Sequence, residues 1–195
     1  MKKIHKITSH TLPLKHENID TDQIIPAKFL KTTVREGIGE FFFHAWREDK
    51  DSVFHSSKHK GAKILLAGKN FGIGSSREHA VWATLDYGFD AVISSSFGDI
   101  FYNNSLKNGL IPVKIAHSEL LELFGLVEKD HTTIIEVNLE SEEIHLPKHG
   151  KKYKFPIDPF RKQLLLNGTD ELGYLLTLDK EISEFENKHK GFVNN

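Results

Sequence analysis

The chain has 195 residues, no cysteine, 38% hydrophobic and 27% charged residues, and a formal net charge of −1. That is enough for one domain with a core, spanning residues 1–195, and the composition excludes a disordered chain. Missing thiols exclude disulfides and thiolate metal ligands within the chain, near-neutral charge without a basic block excludes a nucleic-acid footprint, and no apolar run suits a membrane span or signal core, so a cytoplasmic location is expected.

Residues 3–14 carry Ile4, Ile7, Leu12 and Leu14 among β-formers and predict an opening strand or two. A polar loop, Glu17 to Gln23, then feeds Ile24-Ile25 and stops at Pro26. Its Asp20 and Asp22 lack the further oxygen ligands, central glycine and terminal glutamate of a calcium loop, so Asx-turn chemistry is expected. Residues 28–35 follow, with Phe29 and Leu30 as apolar groups and Lys31 and Arg35 as cations. Residues 37–46 hold Phe41, Phe42, Phe43 and Trp46, which suits a core, a lid or a subunit contact. Residues 47–61 are polar. His55 and His59 have helical zinc spacing but no Glu-x-x-His context, and their lysine- and serine-rich setting reads as loop.

The most informative stretch comes next. Residues 62–67 are a short apolar run, the signature of a buried strand. Gly68-Lys69-Asn70-Phe71-Gly72-Ile73-Gly74-Ser75-Ser76-Arg77-Glu78-His79-Ala80 follows, and residues 78–87 have helical spacing with Gly88 as a stop. Glycines at 68, 72 and 74 let another molecule approach the backbone closely. The two serines are placed at the helix start, where free N–H groups and the dipole favour an anion, and Arg77 adds a planar cation. Walker A fails because no lysine follows Gly74. The dinucleotide fingerprint fails because Arg77 stands in place of its third glycine, and neither serine has the paired glycines of a hydrolase elbow. A serine N-cap at Ser76 would explain one residue. A small-anion site explains the whole set.

The remaining chain alternates. Residues 90–96 predict a second buried strand, 97–109 a helix closed by Gly109, and 110–115 a third strand whose Pro112 belongs at an edge. Strand, helix, strand, helix, strand implies parallel pairing with right-handed crossovers. Asn103 and Asn104 are expected to make helix bonds. Residues 118–127 form an amphipathic helix, 132–139 a strand, and 142–146 with 152–155 a hairpin around a solvated lysine-rich turn. Asp158, Pro159 and Gly168 mark the start and stop of another helix. The charged tail is expected to be helical from 177 before fraying over about 181–195.

Asn70 through Ala80 resembles the swivel-domain signature of the aconitase family, and most closely the version carried by isopropylmalate dehydratase small subunits of leucine biosynthesis. Most bacterial members have cysteine where Ile73 stands, beside the first serine rather than at it. Asp20-Thr21-Asp22, Ser96-Phe97-Gly98-Asp99-Ile100-Phe101 and Asn108-Gly109-Leu110-Ile111-Pro112-Val113 resemble further blocks of that family. The resemblance spans about residues 18–180. It implies an α/β fold of aconitase swivel type, three-layer β/β/α with a partly parallel central sheet. It implies a hydro-lyase that isomerises 2-isopropylmalate by removing and re-adding water. Ser75 would be the catalytic base and Arg77 the carboxylate-binding residue. Asn70, Gly74 and Ser76 of the turn, Thr21 and Asp22 of the N-terminal loop, and Lys31 and Arg35 are the further substrate-binding candidates. His79, four residues after Ser75, is expected to cap or pack. Aconitase-type enzymes hold a 4Fe-4S cluster on three cysteines, so the cluster and its Lewis acidity would have to come from a large partner subunit. A related hydro-lyase acting on another dicarboxylate, and a non-catalytic anion-binding subunit, remain open alternatives.

Overall fold

The computed structural model describes residues 1–30, 34–74 and 77–189. Lys6–Ser9 (β1) leads directly into Thr11–Leu14 (β2), and the two strands go to different sheets. β2 is followed in space by Ile64–Ala67 (β3), Ala91–Ser94 (β4) and Ile111–Lys114 (β5), and every neighbouring pair is parallel. This central sheet is thus parallel in all four strands, more uniform than the partly parallel sheet expected. Antiparallel pairing is confined to the second sheet, which joins β1 to Ile135–Asn138 (β6), Glu143–Leu146 (β7) and Lys151–Lys154 (β8).

β3 and β4 are buried along their whole length, which is why they read as unbroken apolar runs rather than alternating ones. One face of the central sheet, including Ile64, Leu66, Ile93 and Val113, meets the apolar sides of β6 and β7. Leu120, Leu123, Phe124 and Val127 of the helix His117–Lys129 share that core. Pro112 sits in β5, at the edge, where its missing N–H costs no ladder bond.

The helices follow in chain order. Thr21–Ile24 (α1) and His44–Arg47 (α2) are single turns; the first replaces the plain loop expected there. His79–Tyr87 (α3) connects β3 to β4, and Asp99–Asn108 (α4) connects β4 to β5. His117–Lys129 (α5) follows β5. Pro159–Asn167 (α6) is capped by Asp158, whose Oδ1 accepts from Arg161 N at 2.9 Å. Glu171–Thr177 (α7) has no counterpart among the expected elements, and Asp179–Lys188 (α8) carries the tail through Lys188. The layers run antiparallel sheet, parallel sheet, helix: the outer face of the central sheet, with Leu12, Leu14, Leu65 and Val92, packs on Ala80, Val81 and Ala83 of α3.

The aromatic stretch divides its labour. Phe42 and Phe43 are fully buried, with Phe42 4.7 Å from the Tyr87 ring and Phe43 5.2 Å from Phe54. Phe41 is half-buried and stacks on Phe29 at 4.1 Å. Core is therefore the role of the central pair. Phe42→Ala is expected to destabilise the chain by about 3–5 kcal/mol in urea unfolding, because no neighbour can collapse into a ring-sized void.

His55 and His59 occupy separate 3-10 turns, Val53–His55 and Ser57–His59. His55 Nε2 meets the Arg47 carbonyl at 2.7 Å and His59 Nδ1 the Thr11 carbonyl at 2.9 Å, so the two rings serve different carbonyls and form no zinc pair. Burial, helped by the nearby His10, His131 and Lys58, lowers the His59 pKa against the opposing Thr11 bond. A folded pKa below the unfolded value near 6.5 means the unfolded chain binds the extra proton. Stability should therefore rise with pH up to about 6.5 and fall below it, and His59→Gln should flatten that part of the profile in thermal melts.

Candidate active site

Three loops leave the carboxyl ends of β2, β3 and β4, the end of a parallel sheet where ligands bind. Their backbones are laced together. Asn18 N donates to Lys69 O at 2.9 Å, Gly72 N and Ile73 N to Ile19 O at 2.8 and 3.1 Å, and Thr21 N to Ile73 O at 2.8 Å. On the other side Phe71 N donates to Ser96 O at 3.0 Å and Gly98 N to Phe71 O at 2.9 Å. The glycine turn is thus the middle strand of a small three-stranded weave, bridged at Asp20–Ile73 and Phe71–Phe97.

This close approach explains two of the glycines. Gly72, at φ +74°, lies against the Phe101 ring, and Gly74, at φ +94°, lies against the Asp20 carboxylate. A Cβ at either position would collide with those groups as well as strain the backbone. Asn70 also adopts positive φ, at +63°. Its N donates to Ser96 Oγ at 2.9 Å and its Nδ2 to Asn18 Oδ1 at 2.8 Å. Asn70 therefore ties the turn to both flanking loops. Asn18 is a brace that local sequence gave no reason to single out, since its partner is 52 residues away.

The N-terminal loop is organised by Asp20. Its Oδ1 accepts from Asp22 N at 2.7 Å, and its own N donates to Gln23 Oε1 at 2.8 Å, a reciprocal cap on α1. Thr21 is buried under the turn and Asp22 is left exposed. The Arg77 guanidinium donates from Nη1 to Asp22 Oδ1, joining residues 55 apart in the chain. Asp22 thus fixes the guanidinium of the turn, with Arg77 only 29% exposed at its side chain. Arg35 lies with Cζ 4.9 Å over the Trp82 ring of α3, a cation–π contact beside the helix rather than within the turn.

The helix begins later than its sequence suggests. Val81 N and Trp82 N donate to Glu78 O, which makes Glu78 the cap position and His79 the first helical residue. Glu78 thus takes the cap position, and the serine cap expected at Ser76 falls outside the described residues. Ser75, Ser76 and Lys31 lie outside the described residues. His79 packs against Trp82, ring centroids 4.7 Å apart. Asn103 Nδ2 donates to Asp99 O at 2.9 Å, the helix bond expected of it, and the Asn104 backbone carbonyl accepts from Asn108 Nδ2 at 2.8 Å.

A parallel sheet whose strand ends converge on a glycine turn with an anchored arginine defines an α/β domain with its candidate site at the carboxyl edge of the sheet. The sequence profile of the aconitase C-terminal domain matches residues 1–118. A protein of Christiangramia forsetii named as a 3-isopropylmalate dehydratase small subunit is 46% identical over 100% of this chain and 97% of its own length. Similarly named proteins of Roseiflexus sp. and Rubrobacter xylanophilus are 47% and 44% identical, over 95% and 99% of this chain and 94% and 98% of theirs. A crystal structure of 3-isopropylmalate dehydratase from Methanocaldococcus jannaschii superimposes with a TM-score of 0.68 at 29% identity, covering 92% of this chain and 98% of that one. The chain belongs to the aconitase family, in its 3-isopropylmalate dehydratase small-subunit branch.

Among the described residues no helix is long and apolar enough to cross a membrane. Among them, too, no three histidine, aspartate or glutamate side chains come together as metal ligands, and the sequence offers no thiolate. The donor set does not fit an iron–sulfur cluster.

Proposed function

We propose that this chain is the small subunit of a 3-isopropylmalate dehydratase, a cytoplasmic hydro-lyase of leucine biosynthesis, and that it folds as one swivel-type domain over residues 1–195. The observation that carries the reading is full-length similarity to proteins of that name together with an anchored arginine on the glycine turn. The partner is a larger subunit, and any cluster is assigned there, since this chain has no cysteine to hold one.

The reaction takes a proton from the carbon next to a carboxylate while the hydroxyl leaves the neighbouring carbon, and then re-adds proton and hydroxyl across the same double bond with their positions exchanged. Ser75 is the base in this reading, its charge held by the amides of the turn. Arg77 grips a substrate carboxylate and sets the reacting carbon in line, where orientation alone contributes several kcal/mol. Asp22 occupies one N–H of the guanidinium, so the fork arrives already aimed instead of searching among rotamers. Thr21, Asn70, Gly74 and Ser76 are the further substrate-binding residues in this reading. Lys31 and Arg35, with Phe29 and Leu30, are the candidates in this reading for choosing the substrate's side group.

Combining the chain with a cluster-bearing large subunit and following 2-isopropylmalate tests the proposal. Interconversion with 3-isopropylmalate is the expected result. Turnover of another dicarboxylate alone, or binding without turnover, overturns it.

A further inference from the structure

Arg77 hangs from the start of α3, and a side chain far from the glycine turn reaches that start. Glu78 is at the cap position, yet its side chain makes no cap bond to its own helix. Its Oε1 instead accepts from Asn108 Nδ2 at 2.6 Å, across 30 residues. Asn108 is the last residue of α4 and is half-buried. Its second N–H goes to Asn104 O at 2.8 Å, and its Oδ1 accepts from Trp82 Nε1 at 3.0 Å. Trp82 is one turn beyond Glu78 on the same face of α3. One amide thus clamps two successive turns of the helix with both donors and its acceptor engaged. The Trp82 ring also carries Arg35 over its face.

We propose that Asn108 is a positioning residue for the reaction: through Glu78 and Trp82 it fixes the start of α3, and so the aim of Arg77. This rests on the catalytic reading of the turn given above. A carboxylate grip loses its value when the guanidinium is displaced by an ångström, so a clamp one residue away reaches the chemistry without touching substrate. The geometry also selects the amide. An aspartate at 108 would accept from Trp82 but would set a carboxylate against Glu78, and no other donor in the pair would bridge them.

The test is a swap in the chain combined with its large subunit. Asn108→Asp is expected to lower kcat/KM for 2-isopropylmalate about tenfold or more, chiefly through KM. Glu78→Gln alone should change it less than threefold, because its side-chain carbonyl still accepts from Asn108. The double variant should recover to within about threefold of the parent, since the new amide at position 78 then donates to the new carboxylate at position 108. Asn108→Ala, which introduces no repulsion, should show the same KM-weighted loss if Asn108→Asp fails to fold. A second readout needs no turnover. Modification of Arg77 by phenylglyoxal, followed by mass spectrometry against Arg161 as internal reference, should speed up several-fold in both Asn108 variants. Parent-like kcat/KM and parent-like Arg77 reactivity in those variants overturn the proposal, as does a loss that Glu78→Gln cannot recover. A parent complex inactive on isopropylmalate, with Arg77 still loosened by Asn108→Ala, would sink the functional reading and leave the clamp standing.

Discussion

Ser75→Ala is expected to reduce kcat of the reconstituted complex about a thousandfold or more, while the isolated chain melts within a degree or two of the parent. The size follows from the task. Protons next to a carboxylate are weakly acidic, and a positioned base contributes about 10²–10⁴-fold. Residues 68–77 contain no histidine, aspartate or glutamate to replace it. The small stability change is expected because deleting one hydroxyl removes no apolar volume. Exchange of the substrate proton with deuterated solvent separates chemistry from binding: it should vanish in the variant even at saturating substrate. Activity within tenfold of the parent would take the base role away from Ser75.

Arg77→Lys is the second large effect. Lysine keeps the charge, so electrostatic attraction for a dicarboxylate survives, but it loses the planar fork that can hold Asp22 and a substrate carboxylate at once. The expected result is a fall in kcat/KM of about a hundredfold, equivalent to roughly 2.7 kcal/mol of lost transition-state stabilisation, with KM raised as well as kcat lowered. Asp22→Asn should lower kcat/KM less, about tenfold, because the guanidinium keeps its own grip and loses only its aim. Steady-state kinetics on the two variants distinguishes gripping from aiming. Equal losses would mean that the ion pair, not the substrate, is what Arg77 serves.

Much of the architecture can be read from local signals. The buried strands announce themselves as apolar runs, and Gly109 and Gly168 end helices where the pattern stops. Pro112 marks an edge because its missing donor leaves few other places. The parallel order follows from alternation of strand and helix. What local pattern does not supply is pairing at a distance. Arg77 with Asp22, Asn70 with Asn18, and Glu78 with Asn108 are each joined by tertiary folding across 30 or more residues. The late start of α3 is hidden because two serines before an apolar period look like caps, while Glu78 makes no side-chain cap at all. Helix α7 is hidden for the opposite reason. Asp170 does cap it, accepting from Gly173 N at 2.7 Å, but that glycine inside a seven-residue helix weakens the local propensity. Its Leu172, Leu175 and Leu176 remain exposed, so no buried face betrays it.

The weave that joins Asn18–Thr21 to Lys69–Ile73 is made of main-chain amides and carbonyls, groups every residue but proline possesses. Chain length between those anchor points is therefore what the site cannot surrender. Removing a single residue between Asn18 and Thr21 would slide Asp22 out of reach of Arg77, whereas many exchanges of side chain there would leave the register untouched. Under the proposed function, changes of substrate preference are expected to fall in segments outside the weave, such as residues 28–35, rather than in the register that holds Asp22 to Arg77.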